Sequence, residues 1–289
     1  MFLFLLTLVG AEVYSQYSFA PDKLMLDLKI LSSDSLEGRR TGTDGSKKAR
    51  TYIIDHLKKA GIDPLVADYE QSFSMSQSGN GVNILGVISG KKKETIVISA
   101  HYDHLGIRDN TIYNGADDNA SGTATLLAIV QYFKKNAPQH RLIFAFFDAE
   151  EMGLKGSAYF VNALDLQKEN IVLNVNLDMV SRSNKNELYA CGTYHHPLLK
   201  KDIEKMKPPL GLKLLFGHDD PTIGKNDWTE SSDHYSFHQK KIPFIYFGVE
   251  DHSDYHKPGD DFEKVNVDFY SKSTETILVA IQSLDKSLE

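Results

Sequence analysis

The chain has 289 residues, of which 41% are hydrophobic and 25% are charged. These fractions are typical of an ordinary soluble globular protein and exclude the collagen-like, low-complexity and coiled-coil classes. The net charge of −7 leaves no basic excess to neutralise phosphates, so no nucleic-acid partner is expected. The single cysteine, Cys191, excludes an internal disulfide framework and any zinc site built on several thiolates. A metal site in this chain must therefore use histidine and carboxylate ligands.

The N-terminal segment is almost wholly apolar over residues 1–10. A run of about ten residues is too short for a membrane-spanning helix and is typical of the core of a signal peptide. We therefore expect a signal peptide over residues 1–15, with cleavage before Gln16, and a secreted or periplasmic protein. The alternative is a frayed apolar N-terminus, because the positive residues that usually precede such a core are missing. No later stretch is apolar for long enough to predict a membrane span.

The rest of the chain alternates between predicted helices and strands. Leucines at helical spacing predict a helix over residues 21–31, followed by a polar, glycine-rich loop over 32–45. Ser121 is the expected N-cap of a later helix. The other predicted helices are 46–60, 121–136, 155–164 and 268–284, and the predicted strands are 81–89, 94–99, 141–147, 171–177 and 242–247.

Near-continuous apolar strands between helices indicate an α/β fold with three layers, in which helices flank a mixed, mainly parallel sheet. We see no linker and no internal repeat, so we expect a single catalytic domain over residues 16–289.

Residues that can bind metal follow three of the predicted strands. His101 follows the strand that starts near residue 94, Glu150 and Glu151 follow the next strand, and Asp178 follows the third. Ligand sites in open parallel sheets form at the carboxyl ends of the strands, so we expect these side chains to converge. Histidine and carboxylate ligands suit zinc or a similar divalent ion in a catalytic site.

An aspartate in such a cluster can bridge two ions about 3.5–4 Å apart. Of the two adjacent glutamates, one would bind metal and the other would move protons; the spacing alone does not decide which. In the His101-x-Asp103 pair, the aspartate can orient the imidazole.

Four segments resemble the co-catalytic dizinc aminopeptidases, a zinc-dependent metallopeptidase family. They are residues 100–104 (AHYDH), 115–122 (GADDNASG), 147–157 (FDAEEMGLKGS) and 176–179 (NLDM). The family includes secreted bacterial leucyl-type aminopeptidases and, more distantly, glutamate carboxypeptidase and glutaminyl cyclase. An early stretch, residues 36–42 (LEGRRTG), resembles the family as well.

The resemblance implies two zinc ions and a role for each matching residue. Asp118 would bridge both ions and precede a cis peptide bond, Glu150 would be the general base, and Asp103 would orient His101. The last ligand would be His256, with His252 as the nearby competitor. The implied ligand groups are His101, Asp118 and Asp178 for one ion and Asp118, Glu151 and His256 for the other.

The expected function is an exopeptidase that hydrolyses N-terminal residues from peptide substrates. A carboxypeptidase on the same scaffold would need a cationic clamp for a carboxylate. A glutaminyl-cyclase-like enzyme would work with a single zinc, and a non-catalytic ectodomain would lack ligands. Cys191 near two histidines could suggest a thiol nucleophile, although an inert buried thiol is favoured. The candidate clamp residues are Arg39, Arg40, Arg108 and Arg182.

The segment at residues 231–234 (SSDH) resembles a family segment near the substrate pocket. We therefore expect the pocket to include Trp228, Asp233, His234 and Tyr235. His234 or Tyr235 could stabilise the oxyanion, because the tyrosine that some members carry just upstream is missing. A plain surface loop is the alternative.

Overall fold

The computed structural model describes residues 17–75, 79–163 and 169–288. The predicted signal peptide lies outside these residues. The strands are β1 (Asp63–Pro64), β2 (Glu70–Ser74), β3 (Asn80–Ile88), β4 (Thr95–His101), β5 (Gly106–Arg108), β6 (Thr111–Tyr113), β7 (Arg141–Phe147), β8 (Ile171–Leu177), β9 (Glu187–Cys191), β10 (Lys213–Phe216) and β11 (Phe244–Gly248). The α-helices are α1 (Pro21–Leu31), α2 (Asp44–Ala60), α3 (Gly122–Lys135), α4 (Lys155–Ala163), α5 (Pro197–Glu204), α6 (His234–Gln239) and α7 (Val267–Ser287).

Within the described residues, one mixed sheet of nine strands has the order β1-β3-β7-β4-β8-β11-β9-β10, with β2 paired to β3. Four adjacent strands at the centre of the sheet run parallel to one another: β7, β4, β8 and β11. Strand β3 pairs antiparallel with β7, and β9 pairs antiparallel with β11. All seven residues of β4 are buried, as expected for a parallel strand covered on both faces.

The two faces of the sheet carry separate layers of helices. Along β4, Ile96 and Ile98 pack into the larger core, to which helices α1, α2, α3, α5 and α7 contribute. Val97 points to the opposite face, because successive side chains of a strand alternate. There it packs in a smaller core with Phe160 of α4 and Phe237 of α6. The prediction of a three-layer α/β fold is confirmed.

Two local predictions are wrong. The predicted loop over 32–45 contains a 3₁₀ helix at Asp34–Arg39 and the first turn of α2, where the Thr43 hydroxyl accepts a hydrogen bond from the Ser46 N–H. Ser121 does not cap α3 with its side chain. Its backbone is helical, and its hydroxyl donates to the carbonyl of Asp117 at 2.7 Å. No helix within the described ranges is long and apolar enough to cross a membrane.

Candidate metal centre

The predicted ligands meet at the carboxyl edge of the parallel strands. His101 is the last residue of β4, and Asp178 directly follows β8. Glu151 lies four residues after the end of β7, and Asp118 lies in a π-helical turn (Ala116–Ser121) before α3. His256 comes from the segment after β11. The parallel topology thus brings residues that are up to 155 positions apart in the sequence to one place.

The first group consists of His101, Asp118 and Asp178. The Nε2 atom of His101 is 3.3 Å from Oδ1 of Asp178 and 3.4 Å from Oδ1 of Asp118. All three residues are buried, and one ligand atom from each lies within 4.8 Å of the others. Such a compact nitrogen and oxygen set is one that zinc binds.

The second group shares Asp118 with the first. The Nε2 atom of His256 is 3.0 Å from Oδ2 of Asp118 and 3.3 Å from Oε2 of Glu151. Asp118 therefore turns one oxygen to each group. A further histidine, His104, lies on the other side of Glu151, with its Nδ1 2.7 Å from Oε1.

A role for His104 was not predicted from the sequence, although this residue stands in the AHYDH motif three residues after His101. The presence of a second histidine so close to a predicted ligand at a strand end could have indicated it. His252, the competitor for the last ligand position, lies elsewhere: its Nε2 is 3.3 Å from Oδ2 of Asp117. The structure therefore brings His256, and not His252, to Asp118.

The donor set fits a divalent metal. Within the described part of the chain, Nδ1 of His104 and Oε1 of Glu151 are buried without any hydrogen-bond partner. Burial alone would raise the pKa of Asp118, but His104, His101 and His256 hold it well below its ordinary range. Buried histidines and carboxylates that face one another at this density are the usual surroundings of a bound cation.

Hydrogen bonds hold Asp118 in place from two sides. The carboxylate of Asp260 accepts hydrogen bonds from the backbone N–H groups of Asp117 and Asp118 at 3.0–3.1 Å. The Asn119 side chain donates to the carbonyl of Leu177 at 2.8 Å, which ties the turn to the end of β8. The Asp118–Asn119 peptide bond is cis, as the resemblance implied.

Glu150 lies beside the first group and belongs to neither set of ligands. Burial raises its pKa well above the ordinary value for a glutamate, and the negative charges of Asp178, Asp233 and Glu151 act in the same direction, against the lowering effect of His101. A carboxyl group with a raised pKa at the edge of a metal centre can exchange protons with a reacting group.

Asp103 differs in detail from its predicted role. The Nδ1 atom of His101 is 3.1 Å from the backbone carbonyl oxygen of Asp103 but 3.6 Å from its carboxylate. The carboxylate instead accepts hydrogen bonds from the backbone N–H groups of Glu150, at 3.0 Å, and of Glu151, at 3.4 Å. Asp103 therefore orients His101 through its main chain, and its side chain positions the two glutamates.

A polar cavity opens over both groups, and one of the four predicted pocket residues, Trp228, lines it. The prediction is wrong for His234, which is buried, stacks on Tyr246 with ring centroids 4.6 Å apart, and bonds to the carbonyl of Trp228 at 3.0 Å. It is wrong for Asp233, which is wholly buried, and for Tyr235, which lies outside the cavity wall. The cavity is lined by Asp118, Glu150, Asp178, Met179, Lys225, Trp228, Ser231, Tyr246, Val249, Asp251, Tyr255 and His256.

None of the four candidate arginines lines this cavity. Arg39 is buried and donates to four backbone carbonyl oxygens, among them those of Tyr102 and Asn114. Arg182 pairs with Asp254 at 2.7 Å. Burial raises the pKa of the Cys191 thiol well above its ordinary value, so a thiolate nucleophile is not supported.

Comparison with known proteins decides the family. The model of peptidase family M28 matches residues 83–281, which include both groups of ligands. The chain belongs to this family. The M28 chain is 27% identical over 263 residues to the aminopeptidase YwaD of Bacillus subtilis; the match covers 86% of this chain and 52% of that protein. The chain thus spans about half the length of this curated relative.

Two solved structures have the same fold as the M28 chain. The zinc aminopeptidase BSAP from Bacillus subtilis has a TM-score of 0.71 at 19% identity, covering 91% of this chain and 95% of that one. The glutaminyl cyclase of Porphyromonas gingivalis has a TM-score of 0.71 at 17% identity, covering 92% and 98%.

Proposed function

We propose that this chain is a zinc-dependent exopeptidase that removes N-terminal residues from peptides. The observation that carries the proposal is the buried Asp118, whose two oxygens face two separate groups of histidine and carboxylate ligands. The relative YwaD is named an aminopeptidase, and BSAP is described as a zinc aminopeptidase. Both names agree with what this centre can do.

The first zinc would be held by His101, Asp118 and Asp178, and the second by Asp118, Glu151 and His256. When bound, such a pair polarises the scissile carbonyl group and makes the attacking water more acidic. The histidines supply neutral nitrogen donors, and Asp118 fixes the spacing between the two groups.

Glu150 is the general base of this proposal. Its carboxylate would accept the proton of the attacking water and then deliver it to the nitrogen of the leaving amine. The side chain of Asp103 accepts a hydrogen bond from the backbone N–H of Glu150 at 3.0 Å and so keeps the base at the cavity wall.

The charges of the cavity favour the amino end of a peptide. Asp251 adds a carboxylate beyond the proposed ligands and base, and Lys225 is the single cationic side chain that is not a proposed ligand among the described lining residues. Asp251 can attract an α-ammonium group, and none of the candidate arginines lies in the wall to bind a carboxylate. For this reason we favour an aminopeptidase over a carboxypeptidase.

The variant Glu150→Gln tests the proposed base, because glutamine keeps the shape of the side chain and removes its ability to accept a proton. We expect kcat on an aminoacyl anilide to fall about 10²–10⁴-fold, the usual contribution of a general base, with zinc content unchanged. The exposed Glu263 provides the control Glu263→Gln, which should leave kcat unaltered. A fall of less than tenfold in Glu150→Gln would exclude the assignment.

Export to the periplasm or the medium remains part of the proposal. It rests on the apolar segment over residues 1–10. N-terminal sequencing of protein recovered from expressing bacteria should start at Gln16. A start at Met1 in the mature protein would contradict it.

A further inference from the structure

His104 is buried and lies against the second group of ligands. Its Nδ1 atom is 2.7 Å from Oε1 of Glu151 and 3.8 Å from Oδ2 of Asp118. The other oxygen of Glu151, Oε2, faces His256 at 3.3 Å. Glu151 thus stands between two histidines, one buried and one with 41% of its side chain exposed.

The short contact between His104 and Glu151 is not an aligned hydrogen bond. Among the described residues, both ring nitrogens of His104 and Oε1 of Glu151 have no hydrogen-bond partner. Buried polar atoms in native proteins are almost always paired. When a ring nitrogen and a carboxylate oxygen lie next to each other and neither has a hydrogen-bond partner, one bound cation can interact with both atoms.

The backbone of Gly115 fixes the position of the His104 ring. A Cβ atom at Gly115, whose φ is +55°, would lie 2.4 Å from Cδ2 and 2.5 Å from Cγ of the imidazole. The ring therefore fills the space that any other side chain at position 115 would occupy. The distance of the His104 ring from Glu151 and Asp118 is thus set by close packing of the ring against the backbone at Gly115.

We propose that His104 is a fourth protein ligand of the second zinc, together with Asp118, Glu151 and His256; this inference rests on the proposed two-zinc centre. Zinc sites with four protein ligands are closed, whereas catalytic sites have three and keep a position open. The first group has three protein ligands and would keep the open position. The second zinc would be the more firmly held of the two.

The variant His104→Ala, made in the full chain, tests this assignment by zinc titration against a chromophoric chelator. We expect the first-group affinity to remain as in the wild type and the second-group affinity to fall by more than about 100-fold. Loss of a residue that only orients a ligand typically costs 10–100-fold. The control His140→Ala removes another buried histidine, one that bonds to Asp285, and should leave both affinities unchanged.

Cadmium substitution gives a readout that a merely orienting role would not change. With ¹¹³Cd in both positions, His104→Ala should move one of the two resonances strongly, because a nitrogen ligand is lost, and leave the other near its wild-type position. An affinity loss within 100-fold with both resonances in place would overturn the inference and leave the two-zinc proposal intact. Binding of a single ion by the wild type would overturn both.

The stability gained on adding zinc separates a ligand from a structural histidine. Because the buried ring packs closely against Gly115, His104→Ala should lower the unfolding temperature of the metal-free protein, and its unfolding temperature should rise less on adding zinc than that of the wild type. A rise on adding zinc equal to that of the wild type would overturn the inference. The variant His104→Gln fills more of the space and should show the same reduced rise, because an amide is a weak replacement for the nitrogen ligand.

Discussion

The strand-end region and the loop over the cavity are built differently. In the strand-end region, defined here by His101, Asp103, Glu150 and Asp178, backbone and side-chain hydrogen bonds fix each group. The cavity loop, residues 217–231, contains a 3₁₀ helix at Pro221–Asn226 with no buried residue. Few buried contacts allow a segment to move and to vary without loss of the fold.

This difference assigns separate tasks to the two regions. A rigid set of strand ends holds charges at fixed distances, which is what metal binding and proton transfer require. The cavity loop brings Lys225 and Trp228 to the cavity and is suited to selecting substrates. Changes at the strand ends should therefore act on kcat and on zinc, and changes in the cavity loop should act on KM.

After the loss of kcat expected for Glu150→Gln, the largest of these effects is expected at Asp103. The variant Asp103→Asn keeps the size of the side chain but weakens its bonds to the N–H groups of Glu150 and Glu151. We expect kcat to fall about 10–100-fold, the range for residues that orient ligands and bases, with little change in KM. Steady-state kinetics on an aminoacyl anilide measures both. A rise in KM at constant kcat would show that the strand ends also select substrates.

A smaller effect is expected from pH on zinc binding. In the metal-free protein, hydrogen bonds to Asp118 and Glu151 raise the pKa of His256 to about 10, so it keeps its proton at neutral pH. Burial would lower the pKa of His101, but Asp178 and Glu150 raise it above its ordinary value. Zinc needs the neutral imidazole, so binding must release protons and weaken as the pH falls, by about tenfold per pH unit for each proton. Calorimetry in buffers of different ionisation enthalpy should detect this release; identical heats would contradict it.

The smallest effect is expected at Trp228 in the cavity loop. The side chain lines the cavity and stacks on His218, with ring centroids 3.7 Å apart. Trp228→Ala should raise KM about three- to tenfold, as for a lost apolar contact with substrate, and leave kcat and zinc content unchanged. Tyr194, which is exposed outside the cavity, provides the control Tyr194→Ala. A loss of zinc from Trp228→Ala would mean that the cavity loop supports the metal centre.

The contrast between the two regions also explains what the sequence could predict. The positions of His101 and Asp178 followed from apolar strands and from the rule that sites form at the carboxyl ends of parallel strands. The predicted strand over 171–177 agrees with β8, and the predicted helix over 21–31 agrees with α1.

The pocket residues could not be predicted in this way. His234 was expected in the pocket because residues 231–234 resemble a family segment near the substrate pocket, yet it lies buried at the start of α6. Whether a histidine in an irregular segment faces a cavity or the core depends on how that segment packs, which no periodicity encodes. The same holds for the ring of His104, whose position depends on the close approach of Gly115.

The most direct measurement of the central claim is the hydrolysis of an aminoacyl p-nitroanilide by the zinc-loaded protein, beside the same compound with an acetylated amine. We predict cleavage of the free-amine substrate only, loss of that activity with a chelator, and recovery with zinc. Equal cleavage of the acetylated substrate, or activity that a chelator does not reduce, would contradict a zinc-dependent aminopeptidase.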